Sequence, residues 1–118
     1  MSLWHDTPRA WHEVLPGVRR RILAHSPSAM LVFYQIEPGR LFPRHRHPQA
    51  QYGTILSGAG VFVLGGRRVP VRAGDGYFVP PNDEHEFSSD PQLRTTILDV
   101  FTPEREDLVA EALPPDEP

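Results

Sequence analysis

The chain contains no cysteine. A disulfide framework, a thiolate metal ligand and a thiol nucleophile are therefore excluded. Lysine is absent too, since all 12 basic residues are arginine, and that removes Schiff-base chemistry on a lysine amine. No apolar run approaches the ~18 residues that a membrane-spanning helix needs. Met1–Asp6 has no basic stretch followed by an apolar one, so no secretory signal is expected. These absences fit a cytoplasmic protein with no membrane partner. Clustered positive charge is also scarce. The net charge is −3, and Arg19-Arg20-Arg21 is the one basic run. It reads as the start of a strand with solvated arginines rather than a phosphate patch, so no nucleic-acid partner is expected.

What is present fits a single domain. The chain has 118 residues, of which 39% are hydrophobic, enough for one core. Fourteen prolines and nine glycines punctuate short β-rich runs, the pattern of an all-β sandwich or barrel. Strands are expected over 19–25, 30–37, 50–56, 61–64, 67–71, 77–79, 85–88 and 94–101. Gly65-Gly66 is a two-residue hairpin signal between the fourth and fifth of these. Pro70 marks the fifth as an edge or bulged strand. Residues 1–16, with Trp4 and Trp11 between prolines, read as an irregular N-terminal arm. Residues 17–113 form the domain, and 114–118 a disordered tail. A short C-terminal helix is expected over 104–113, with Thr102 as cap, Pro103 at its first position and acidic residues at its positive end.

Three histidines and a glutamine carry the chemical signal. His45 and His47 are two residues apart, Gln51 follows four later, and His85 comes after a second glycine-rich segment. Alternate residues of a strand share a face, so His45 and His47 can reach one ion, and Gln51 has the same parity if the strand continues. Imidazole nitrogens with an amide oxygen suit a divalent transition metal: Ni, Zn, Fe, Mn, Co or Cu. Such a donor set carries no charge to offset the cation, which stays Lewis acidic. By parity Tyr52 reads as core, Gln49 as a candidate pocket residue and Arg46 as outward-facing. Glu84 and Glu86 read as solvated or as outer partners of His85. His5, His12 and His25 fit no pattern and read as surface or packing residues.

The spacing from Gly39 through His45, His47 and Gln51 to Gly58, and then from Gly74 through Pro80 to His85, resembles the two motifs of the cupin superfamily. The resemblance covers about residues 30–90 and implies a double-stranded β-helix, the cupin jelly-roll barrel. Residue by residue it carries the three histidine ligands onto His45, His47 and His85, with Gln51 where most cupins have glutamate. Asn82 stands where the second motif usually has glycine, and asparagine accepts a left-handed turn. Ser89 stands where the motif usually has asparagine. The bland alternative is a cupin that has lost its metal.

Alternation in the last strand puts Asp99 and Phe101 on one face, with Leu98 and Val100 on the other. If Asp99 faces inward it is a carboxylate in a barrel lumen, and a metal site gives it a reason to be there. Asp99-x-Phe101-x-Pro103-x-Arg105-x-Asp107 after a cupin barrel looks like the KdgF-type pectin-degradation cupins, as do residues 21–25 and the His, His, Gln, His set. That likeness runs over about residues 17–108. It implies metal-dependent linearisation of 4,5-unsaturated uronates from pectin or alginate to 5-keto-4-deoxyuronate, with Asp99, Phe101 and Arg105 lining the active site. Asp99 would be general acid/base, Phe101 an apolar wall and Arg105 a clamp on the substrate carboxylate. Arg105 has an alternative use, pairing with Asp107 or Glu106. A quercetinase-like dioxygenase and a non-enzymatic metal- or carbohydrate-binding module are the competing functions. A homodimer is expected, because a small sheet has edges to protect and by the same resemblance, with residues 3–16 as a candidate interface.

Overall fold

The computed structural model describes residues 1–116. Ten strands run β1 (Trp11–Leu15), β2 (Val18–Ser26), β3 (Ala29–Ile36), β4 (Leu41–His45), β5 (Ala50–Ser57), β6 (Ala59–Leu64), β7 (Arg67–Arg72), β8 (Gly76–Val79), β9 (His85–Ser89) and β10 (Thr95–Thr102). They form a six-stranded sheet, β1-β2-β3-β10-β5-β8, and a four-stranded sheet, β4-β9-β6-β7. Every pairing is antiparallel. This is the all-β jelly roll expected. Among the described residues no helix is long and apolar enough to cross a membrane.

The alternation that marked the strands also builds the core. Met30, Val32, Tyr34 and Ile36 of β3 face inward, as do Thr95, Ile97, Asp99 and Phe101 of β10. They meet Ile55 of β5, with Phe62 and Phe87 from the opposite sheet. Gly65 and Gly66 both have positive φ, 55° and 77°, which closes the β6–β7 hairpin in the twist that favours glycine. Pro70 lies in β7 at the edge of the four-stranded sheet, where its missing donor costs no ladder bond.

Several expectations need correction. Residues 11–15 are a strand, pairing with β2 in the register Trp11↔Arg21 and His12↔Arg20. The pairing supplies order that the flanking prolines hid. The C-terminal helix is a six-residue 3-10 turn, Glu106–Glu111, entered from an extended Arg105 with no side-chain cap. So short a segment cannot offset the cost of helix nucleation, and Leu108 is anchored in the core instead. Arg20 and Arg21 are not solvated: their side chains are 12% and 14% exposed, and Arg20 forms a two-pronged pair with Glu111 at 2.8 and 2.5 Å. Asp116 bridges to Leu3 through backbone bonds of 2.8 and 2.7 Å, so the expected disorder does not begin at Pro114. The rest of that expectation, residues 117 and 118, lies outside the described residues. Tyr52 is not core. It stacks on Phe78 on the outer face of the six-stranded sheet, ring centroids 4.9 Å apart, each half-exposed.

Candidate metal centre

The four candidate ligands do not share a strand. His45 ends β4 and sits directly opposite His85, the first residue of β9. His47 lies in the segment by which the chain leaves the four-stranded sheet, and Gln51 lies on β5 in the other sheet. Pro48 stops β4 from continuing, so the two-residue parity read for His45 and His47 does not apply. Convergence comes from the crossover. The Asn82 N–H donates to the His47 carbonyl at 2.8 Å, and Asn82 adopts φ 65°, the left-handed turn expected of it. That contact ties the loop before His85 to the loop carrying His47.

Each ring has one nitrogen engaged in the same way. Nδ1 of His45, His47 and His85 lies 2.9, 3.0 and 2.9 Å from the carbonyls of Pro43, Gln49 and Asp83, respectively. A carbonyl only accepts, so each Nδ1 carries the proton and each Nε2 presents a lone pair. The ligand atoms all lie within 4.8 Å of one another. Burial lowers the pKa of all three rings, that of His85 to about 4, so they are neutral at neutral pH.

Two observations test whether a cation fits. His85 Nε2 is buried with no hydrogen-bond partner. His47 Nε2 lies 2.9 Å from Gln51 Oε1, and the amide side of Gln51 favours the Asp99 carboxylate. Two lone pairs thus face each other, an arrangement that a cation between them resolves. At metal–ligand distances of about 2.0–2.2 Å, neighbouring ligands sit roughly 3 Å apart. The residues present fit a divalent transition metal. Glutamine at this position also suits its neighbour, since a glutamate would set a second carboxylate beside buried Asp99 with no donor to offer it.

Asp99 faces into the lumen, 4% exposed. Burial raises its pKa to about 7, against the Tyr77 hydroxyl and Gln51 amide, which favour the carboxylate. Tyr77 donates to Asp99 Oδ1, and its own hydroxyl is pushed well up, first by burial and then by the Asp99 charge. Phe101 packs edge-on to His47, centroids 5.2 Å apart. Arg105 lies across the Phe101 ring, its Cζ 5.1 Å from the centroid, and holds Asp107 at 2.6 and 3.2 Å. The pairing with Asp107 and the position beside the site therefore coexist. His45, Gln51, His85, Asp99 and Phe101 border one cavity of about 30 Å³, room for roughly one water beside an ion.

Gln49 turns its amide to the Glu104 carbonyl at 3.3 Å and does not border the cavity, whereas Glu86 does. Glu84 is exposed, 3.8 Å from Arg44, and Arg46 faces solvent. His5, His12 and His25 are engaged elsewhere, with Asp116, the Glu111 carbonyl and Glu104. Tyr77 was missed. Nothing in the sequence around 77 distinguishes it from a core aromatic.

Known proteins share this fold. The cupin domain signature matches residues 32–101. The chain is 26% identical over 105 residues to the pectin degradation protein KdgF of Dickeya dadantii (strain 3937), covering 88% of this chain and 94% of the relative. The solved structure of KdgF from a Halomonas species superposes with a TM-score of 0.80 at 29% identity, covering 89% and 92% of the two chains. An RmlC-like cupin from Shewanella frigidimarina NCIMB 400 superposes with a TM-score of 0.81 at 25% identity, covering 92% and 98%.

Proposed function

This chain belongs to the cupin domain family, and we propose that it is a metal-dependent enzyme that linearises 4,5-unsaturated uronates from pectin or alginate to 5-keto-4-deoxyuronate. The observation that carries this reading is the Asp99 carboxyl, turned into the lumen near three histidines whose ligand atoms converge, with Gln51 beside His47 at 2.9 Å. The relative named for pectin degradation supports the substrate class.

The reaction is an isomerisation with no redox change. The anomeric hydroxyl loses its proton as the bond between C1 and the ring oxygen breaks, leaving an aldehyde at C1 and an enolate at C5. The enolate becomes a ketone as C4 takes up a proton. Asp99 takes the first proton and returns it to C4, a general acid/base role worth typically ~10²–10⁴ in rate. Arg105 holds the substrate carboxylate at the mouth with the donors that Asp107 does not occupy. Phe101 walls the site beneath it. His45, His47, Gln51 and His85 hold the metal, which when bound supplies Lewis acidity toward the sugar oxygens. A cytoplasmic homodimer is part of the same proposal, checked by light scattering on the purified protein.

The test is turnover of unsaturated galacturonate, followed at the enol-ether absorbance and by NMR, for metal-loaded wild type and Asp99→Asn. Acceleration that falls by ~10²–10⁴ in the variant and disappears on chelation supports the reading. No acceleration with any divalent metal, in a protein that binds metal, overturns it and moves the dioxygenase and binding-module readings ahead.

A further inference from the structure

Three residues on neighbouring strands form one row across the wall of the lumen. Asp99 on β10 is paired with Gly53 on β5, and Gly53 is paired with Tyr77 on β8. A side chain at the middle position would stand between the other two. A Cβ built on Gly53 falls 2.2 Å from Tyr77 Cζ and 2.3 Å from Asp99 Oδ1, far inside van der Waals contact. Gly53 is not one of the glycines with positive φ. The position uses the missing side chain rather than backbone freedom.

Through that gap the Tyr77 hydroxyl reaches Asp99 Oδ1. The tyrosine ring is braced from the opposite sheet by Phe62, centroids 4.4 Å apart. A carboxylate that exchanges protons with a substrate works best with its orientation set beforehand, since small misplacements are expensive in rate. We propose that Tyr77 is a positioning residue for Asp99, that it holds Oδ1 so the other carboxylate oxygen meets the substrate, and that glycine at 53 is required for it to reach. The proposal rests on the uronate-linearising reading. Tyr77 keeps its proton throughout and transfers none; the exchange between the anomeric oxygen and C4 runs through Asp99 alone.

The test is steady-state kinetics on unsaturated galacturonate for metal-loaded wild type, Tyr77→Phe, Gly53→Ala, Asp99→Asn and the double variant Tyr77→Phe/Asp99→Asn. Tyr77→Phe keeps the ring against Phe62 and is expected to lower kcat about 10- to 100-fold, with KM within about twofold. It is expected to add nothing to Asp99→Asn, because a residue acting only through Asp99 has nothing left to position. Gly53→Ala is expected to reproduce the kcat loss with both partners still present. An unchanged kcat in Tyr77→Phe, or a further loss on top of Asp99→Asn, overturns the positioning role and leaves the uronate reading standing. A wild type without turnover overturns that reading and the Tyr77 role with it, so wild-type activity separates the two failures.

Discussion

The six histidines divide into two groups of three, one lining the lumen and one where the chain ends meet. His45, His47 and His85 each turn Nδ1 to a backbone carbonyl two residues away and aim Nε2 inward. His5, His12 and His25 direct their ring nitrogens at Asp116, the Glu111 carbonyl and Glu104. The residue type is the same, and what the second nitrogen faces decides the role. In the outer group it finds a neighbour and the histidine becomes a strut tying the N-terminal strands to the C-terminal segment. In the inner group the backbone fixes the tautomer and the second nitrogen is left for a ligand.

The sharpest way to break this comparison is to exchange alanine for one histidine of each group. His85→Ala is expected to lower metal affinity beyond the ~10–100-fold that loss of an outer partner costs, whereas His12→Ala leaves metal content at the wild-type level. Metal content after dialysis, read by inductively coupled plasma analysis, checks both. Equal metal loss in the two variants would erase the distinction.

Gln51→Glu probes the inner group more finely. The carboxylate keeps a ligand oxygen but gives up the amide donor and adds a charge beside Asp99, so metal is expected to stay bound while kcat falls, by about 10-fold or more. Undiminished turnover would remove the amide from the account.

Acid and base should act on the metal-free protein from opposite sides. Asp99 has its folded pKa raised to about 7. Its stabilising contribution is therefore present below its ordinary value near 4 and is lost as pH rises to 7. His85 has its folded pKa lowered to about 4, so its contribution is present above about 6.5 and is lost as pH falls toward 4. Asp99→Asn should therefore stabilise the metal-free protein at pH 8, by on the order of 2–4 kcal/mol, with the gain closing toward pH 4. Urea melts of the chelated proteins at the two pH values measure it. A gain that is the same at both would place its origin outside Asp99 ionisation.

The smallest effect is expected in the outer group. His25 and Glu104 lie 2.8 Å apart with side chains 20% and 18% exposed. His25→Ala should cost about 1 kcal/mol in unfolding free energy and change neither metal content nor kcat.

How far these roles could be read in advance varied with the kind of contact involved. The alternation of β3 and β10, the Gly65-Gly66 hairpin and the edge position of Pro70 are local properties, and each was legible because its cause lies within a few residues. The β1 strand was not, because its order comes from β2. The ligand set was legible as spacing, yet the reason offered for it, one strand carrying His45, His47 and Gln51 on a shared face, was wrong. Tyr52 was misplaced for a related reason: parity opposite to a lumen residue points out of the sheet, not into a core.

Sequence by itself determined the all-β class, the absence of thiol and lysine chemistry, the four candidate ligands and Asp99 as a candidate acid. It left open whether that carboxylate faced in or out, and it was silent on Tyr77 and Gly53. Those were decided when β10 took its place between β3 and β5, and β5 brought β8 alongside. The physical reason is sequence distance. A two-residue spacing is set by backbone geometry, whereas the row Asp99, Gly53, Tyr77 exists only once three strands are in register, and register is a property of the sheet as a whole.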